Sequence, residues 1–237
     1  MSKILVIVPA FNEEESIERV LDRIQQFSMT LDVLVVNDGS QDRTVEIANR
    51  KNVLSVTLPY NLGIGAAMQT GYLYAWAHGF EYAIQVDSDG QHPVEAVPEM
   101  IQAILQDKVN MVIGSRFLKK TDYQSSFWRS FGIRIFRWLT RLISSKVITD
   151  PTSGFRIIDK ALIAEFAQYY PEDYPEVEAI ILACKKGYQI KEISVNMQER
   201  QGGNSSIRLF HAVYYMVKVI LAMIVDIFKP LSQHKGA

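Results

Sequence analysis

The sequence predicts an α/β domain built on a mostly parallel sheet with helices on both faces. Three observations carry this. Short β-branched runs alternate with stretches of helical apolar spacing over the first half of the chain. Polar clusters follow those runs, and parallel sheets bind ligands beyond the carboxyl ends of their strands. Finally, 237 residues with 48% hydrophobic and 22% charged composition suit one large globular domain rather than a disordered chain.

The elements follow in order. Residues 4–8, 33–36, 53–58, 82–86 and 111–113 are short apolar runs rich in Val, Ile and Leu, the pattern of buried strands. Residues 16–27, 44–50, 66–78 and 95–106 carry apolar positions at helical spacing between them. Four of the predicted strands end in polar residues: Pro9 to Glu13, Asn37-Asp38-Gly39-Ser40, Asp87 to Gln91, and Gly114-Ser115-Arg116. There is no internal repeat and no low-complexity linker.

Charge is nearly balanced, with 25 Lys and Arg against 26 Asp and Glu, so net charge points to no nucleic-acid partner. Its distribution is uneven. Residues 116–149 hold eight basic residues and one acid, a net of +7 that leaves −8 on the rest. Cys184 is the only cysteine, which excludes an intrachain disulfide or a thiolate metal cluster. The apolar run after Met1-Ser2-Lys3 is too short for a signal peptide, so a cytoplasmic location is expected.

The densest chemical signal is Asp87-Ser88-Asp89-Gly90-Gln91-His92-Pro93. Two carboxylates one residue apart at a strand end can offer hard oxygen ligands to a divalent cation, which in turn can grip a diphosphate. Asp and Gly are also ordinary turn residues. The other clusters have local readings too. Asn12 with Glu15 fits a capping box, and Asn61-Leu62-Gly63 fits a turn into the next helix. None of these local readings requires the clusters to share one sheet edge. A dinucleotide-binding turn needs glycines after strand one, and Pro9-Ala10-Phe11-Asn12-Glu13 has none, which argues against nicotinamide or flavin.

In these motifs the chain resembles the family 2 glycosyltransferases of GT-A fold, especially dolichol-phosphate mannosyltransferase and bacterial polyprenyl-phosphate relatives. The resemblance rests on Val8-Pro9-Ala10-Phe11-Asn12-Glu13-Glu14, Val36-Asn37-Asp38-Gly39-Ser40, Asn61-Leu62-Gly63, the Asp87–Pro93 run and Gly114-Ser115-Arg116. It continues through Asp150-Pro151-Thr152-Ser153-Gly154-Phe155-Arg156 and Arg200-Gln201-Gly202-Gly203-Asn204-Ser205. Asn37 and Ser206 depart from it, standing where many relatives have Asp and several have Lys. The resemblance implies that Pro9, Ala10, Phe11, Glu13, Asp38, Asp87, Ser88 and Asp89 bind a nucleotide sugar. It implies that Asp89 and Gln91 hold Mg²⁺ or Mn²⁺, and that Arg200 adds positive charge at the diphosphate. Asp87, Asp89, Arg116 and Arg200 would carry an inverting transfer. Gln91, His92, Arg116, Arg129, Arg134 and Ser153 would face the acceptor. A UDP-sugar is the favoured donor, with GDP-mannose open.

The acceptor reading turns on acid–base chemistry. A sugar hydroxyl needs a general base, for which Asp150 and Glu178 are the candidates; a polyprenyl phosphate is already an anion and needs cations. His92 reads as a turn residue near the acceptor rather than a metal ligand. Residues 125–145 read as a basic amphipathic helix within a catalytic domain spanning 1–206. Residues 207–237 read as a second amphipathic helix and a tail. Along 207–228 and just past it, Arg208, His211, Tyr215, Lys218, Ala222, Asp226 and Lys229 recur as a mostly polar stripe, which favours lying in the interface over spanning. A peripheral enzyme at the inner face of the plasma membrane is expected, with a homo-oligomer or a small membrane protein as partner. Its lipid-linked sugar would feed cell-envelope glycan assembly. A glycan-hydroxyl transferase and a non-catalytic nucleotide-binding subunit are the alternative readings.

Overall fold

The computed structural model describes residues 3–27, 31–118, 148–172 and 174–198. The predicted helices 125–145 and 207–228, and with them Arg129, Arg134, Arg200 and Ser206, lie outside the described residues.

A seven-stranded sheet runs in the order β3-β2-β1-β4-β6-β5-β7. Its central strand, β1 (Ile4–Ala10), is buried at all seven positions because β2 (Asp32–Asn37) and β4 (Tyr82–Gln85) pair on either side and helices cover both faces. The predicted end at Val8 falls short. Pairing with β2 continues through Pro9 and Ala10, and the Ala10 carbonyl accepts the Asp38 N–H at 2.8 Å. β3 (Leu54–Thr57) is a short edge strand, shorter than predicted.

Helix α1 (Ile17–Gln25) buries Ile17, Val20, Leu21 and Ile24, one face at helical spacing. With α2 (Thr44–Arg50) and α4 (Val97–Asp107) it covers one side of the sheet. A 3₁₀ turn, Val94–Ala96, leads into α4, and Lys108 closes that helix in the left-handed conformation. Helix α3 (Ile64–Ala77) lies on the opposite side and begins two residues earlier than predicted, after Gly63 at φ +93°.

The sequence pattern locates few of the elements that follow α4. The described residues there form β5 (Met111–Ser115), β6 (Arg156–Asp159), α5 (Lys160–Gln168), α6 (Pro175–Lys185) and β7 (Ile190–Ser194). Of these only β5 was predicted, and it is two residues longer. β6 runs antiparallel to both β4 and β5, the one reversal among the described strands. Asp159 ends β6 and caps α5, its carboxylate accepting the Ala161 and Leu162 N–H groups. α5 packs on α3 through Phe166, whose ring lies 5.4 Å from that of Tyr72.

The start of α3 lies against the segment leading into α6. A Cβ added at Gly65 would stand 2.6 Å from the Pro171 carbonyl oxygen and 2.8 Å from the Glu172 Cα. Both are backbone atoms, so relief requires moving the chain. Gly65→Ala is therefore expected to destabilise the protein by about 1–3 kcal/mol, measured by urea denaturation.

Candidate active site

The ends of β1, β2 and β4 open onto a cleft of about 680 Å³. Pro9, Ala10, Phe11 and Glu13 line it from the first strand, Asp38 from the second, Asn61, Gly63 and Ile64 from the start of α3, and Asp87, Ser88 and Asp89 from the fourth. Every described residue expected to bind the donor is there.

Local bonding explains how these residues are held. Asn12 does not cap α1. It adopts φ +54°, donates its N–H to Ser40 Oγ at 2.9 Å and accepts the Gln41 N–H at 2.9 Å, clasping the β1 loop to the β2 loop. The helix starts at Ile17 after Ser16, whose hydroxyl donates to the Glu13 carboxylate at 2.7 Å. The predicted Asn12–Glu15 capping box is therefore absent, because the left-handed turn at Asn12 sets it outside the helix. Asp38 is buried, and its carboxylate accepts the N–H groups of Leu62 and Gly63 at 2.8 and 2.9 Å. It fixes the entry to α3 while lining the cleft. Asn37, also buried, accepts the Ser40 N–H and so fastens its own turn.

After β4 the side chains diverge. Ser88 is buried and donates to the Pro9 carbonyl at 2.8 Å. Asp87 and Asp89 on either side of it are half-buried and line the cleft. Asp87 accepts from Gln85 Nε2 at 3.0 Å, and its N–H donates to His92 Nδ1 at 2.9 Å. Because Nδ1 accepts, the His92 proton sits on Nε2, which faces Asp87 Oδ2 at 3.3 Å. Burial pushes the His92 imidazolium down, so the ring is neutral, and it lies 4.9 Å from the Phe155 ring. His92 thus clasps Asp87. Asp89 accepts the Gln91 N–H at 3.0 Å.

The donor set suits a hard cation shared with a ligand. Among the described residues no group of three Asp, Glu, His or Cys side chains is placed to hold a metal alone. Asp89, with Asp87 and the Gln91 amide nearby in sequence, offers oxygens only, which fits Mg²⁺ or Mn²⁺ that also takes oxygens from a phosphate.

A second pocket of about 190 Å³ shares Asp87 with the first and is lined by Gln91, His92, Arg116, Thr152, Ser153, Gly154, Glu176, Met197 and Gln198. It gathers the described residues expected to face the acceptor. Ser153 is buried and donates to the Gly114 carbonyl at 2.7 Å, bracing the end of β5. Arg116 is gripped by Asp150 on two edges, Nε to Oδ2 at 2.6 Å and Nη2 to Oδ1 at 2.7 Å, and Nη2 also donates to Thr152 Oγ1 at 2.8 Å. Asp150 is fully buried and bound in this fork, which corrects its reading as a candidate base.

Sequence reasoning missed three contributors. Glu176, in the first turn of α6, lines the smaller pocket, whereas Glu178 does not. Desolvation pushes the Glu176 carboxyl above the ordinary carboxylate value, against the pull of Arg156. Arg156 is a fully buried guanidinium that donates to the Ser153 carbonyl at 2.7 Å and to the Glu176 carbonyl at 3.3 Å. Glu192 on β7 binds the chain at Thr149 and Asp150. Arg156 closes a motif that carries the resemblance but stands inside a four-residue strand, Glu176 follows a proline, and Glu192 stands in a short mixed strand, so none of the three announces its role locally.

Residues 5–166 match the family described as Glycosyl transferase family 2. The chain is 27% identical over 212 residues to the UDP-N-acetylglucosamine–dolichyl-phosphate N-acetylglucosaminyltransferase of Methanococcus voltae, a match covering 81% of this chain and 84% of that protein. It is 26% identical over 220 residues to the undecaprenyl-phosphate mannosyltransferase of Micrococcus luteus, covering 86% of each. In fold it is similar to glucosyl-3-phosphoglycerate synthase from Mycobacterium tuberculosis, crystallised with Mn²⁺, UDP and phosphoglyceric acid. The TM-score is 0.73 at 20% identity, over 98% of this chain and 80% of that one.

The Arg116–Asp150 pair yields a prediction about stability. The Arg116 side chain is 12% exposed and that of Asp150 0%. Removing one member of a buried pair strands the other, at a cost of about 3–5 kcal/mol. Asp150→Ala is expected to lower the urea midpoint accordingly, and far more than Glu14→Ala, which cuts an exposed ion pair with Arg43.

Proposed function

The chain belongs to glycosyl transferase family 2, and from that premise we propose that it moves a sugar from a nucleoside diphosphate, a UDP-sugar by preference, to a polyprenyl phosphate. The observation that carries this reading is the meeting of two pockets at Asp87. The larger is lined by the strand-end acids, and the smaller by a guanidinium fixed in a two-pronged carboxylate grip. A phosphate acceptor would sit in the smaller pocket facing Arg116. Its oxygen would bond to the anomeric carbon as the bond from that carbon to the diphosphate breaks, inverting the centre. The nucleophile is already ionised, so no proton has to move. The names of the relatives support the same acceptor class.

In this reading the exposed ring of Phe11 and the Pro9–Ala10 backbone flank the nucleoside. Asp87, oriented by Gln85 and His92, faces the donor at the junction of the pockets. Asp89 and Gln91 hold Mg²⁺ or Mn²⁺, whose chemistry is to neutralise the charge that builds on the departing diphosphate. Arg200 helps to neutralise that charge. Gln91, His92, Arg116 and Ser153 form the acceptor side, with Arg129 and Arg134 drawing the lipid phosphate toward it. The chain works at the cytoplasmic face of the plasma membrane, in contact with its surface through residues 125–145 and 207–228; among the described residues no helix is long and apolar enough to cross a membrane.

A second reading keeps the donor site and makes the acceptor a glycan hydroxyl. Glu176 favours it, because a carboxyl pushed upward inside the smaller pocket is suited to general-base work. The two readings separate on one variant. Incubation with Mn²⁺, a short-chain polyprenyl phosphate and labelled UDP- and GDP-sugars is expected to place label in the lipid phase, lost with EDTA and in Asp89→Ala. Glu176→Gln should keep that activity within about tenfold, whereas a general base would cost roughly 10²–10⁴-fold. Full activity in Asp89→Ala would overturn the metal assignment.

A further inference from the structure

Arg116 is useful to an anionic acceptor only if its guanidinium stands still, and Asp150 is what holds it. Asp150 lies in the loop that leads toward β6, not in a strand or helix, so something else must hold the loop. Three hydrogen bonds do so, and all end on one carboxylate. Glu192 Oε2 accepts the Thr149 N–H at 2.7 Å. Glu192 Oε1 accepts the Thr149 hydroxyl and the Asp150 N–H, each at 2.9 Å. The Thr149 hydroxyl also lies 2.7 Å from Ser115 Oγ, next to Arg116 in the chain.

The strand pairing accounts for this placement. β7 pairs with β5 in parallel, setting Glu192 opposite Ile113 and Ser194 opposite Ser115. Side chains alternate along β7, so Lys191 turns to Asp107 on α4 while Glu192 turns to the other face, where residues 149 and 150 run. An acid on an edge strand that faced only solvent would satisfy solubility alone. This one instead accepts the backbone N–H of Asp150, whose carboxylate grips Arg116, and that of Thr149 before it.

We propose that Glu192 is a positioning residue for the acceptor anion. Through Thr149 and Asp150 it sets the angle at which Arg116 enters the smaller pocket, and so the affinity for a phosphomonoester there. The inference rests on the proposed function for the identity of the acceptor, and its geometry concerns the second half of the sheet rather than the donor cleft. Glu192→Gln keeps the shape but turns an NH₂ group toward one of the N–H donors, so the three bonds cannot all form. Thr149→Val removes the hydroxyl link and leaves both N–H bonds.

Steady-state kinetics with a short-chain polyprenyl phosphate distinguish this role from simple stiffening. The acceptor KM is expected to rise about tenfold in Glu192→Gln and less in Thr149→Val, with the donor KM unchanged within about twofold. Donor and acceptor KM rising together, or a lowered melting temperature with both KM values unchanged, would overturn the proposal. If the wild-type chain transfers nothing to the lipid phosphate, the proposed function fails. The relay is then read by calorimetric binding of citronellyl phosphate. Weaker binding in both variants than in wild type supports it, while equal binding, or none in wild type, overturns it.

Discussion

The reversal of β6 decides what can meet at the site. In a wholly parallel sheet the segment before a strand arrives at the edge opposite the ligand. β6 pairs antiparallel with β4 and β5, so its start lies at the carboxyl edge and the 150–155 loop comes down beside Asp87 and Arg116. The fit is close. The Phe155 carbonyl accepts the Gly114 N–H at 2.9 Å, and a Cβ on Gly154 would stand 2.7 Å from Gln85 Nε2. Glycine at 154 is what lets the loop reach the Gln85–Asp87 hydrogen bond without displacing it.

Around that junction the site divides into two electrostatic halves. The larger cleft has carboxylates from three strand ends, each held by hydrogen-bond donors: Glu13 by the Ser16 hydroxyl, Asp38 by the Leu62 and Gly63 N–H groups, Asp87 by the Gln85 side-chain amide. Such a surface repels a bare diphosphate and suits one that arrives with a divalent cation. The smaller pocket is built around Arg116, whose charge is balanced by a buried partner but whose position is fixed. Beneath both lies Arg156, fully buried, with Nε among the buried side-chain atoms that have no hydrogen-bond partner in the described residues. Its neighbours along the sheet, Gln85 and Ile113, tie it to the strands that lead into Asp87 and Arg116.

Much of the larger cleft was legible in the sequence because its signals are local. An apolar strand followed by Asp-x-Asp, or by Asn-Asp-Gly-Ser, announces both the strand and its polar end, and the parallel order of β1, β2 and β4 does the rest. The smaller pocket depends on contacts far apart in the chain. Glu192 meets Thr149 across 43 positions and Arg116 meets Asp150 across 34, and no periodicity records such pairs. β6 is four residues long with Arg156 in it, so its pattern reads as a loop until β4 and β5 are seen to bury it. Asn12 shows the converse: a sound capping pattern yields when the same side chain finds partners on a neighbouring loop.

The central claim is that the Asp87–Asp89 turn takes a divalent cation together with a nucleoside diphosphate. Electron paramagnetic resonance of Mn²⁺ titrated into the protein, with and without UDP, tests it directly. The account predicts that UDP drives uptake of one Mn²⁺ per chain in the wild type and that Asp89→Ala abolishes that uptake while remaining folded by circular dichroism. Equal uptake in the two proteins, or none in the wild type with either UDP or GDP, would contradict it.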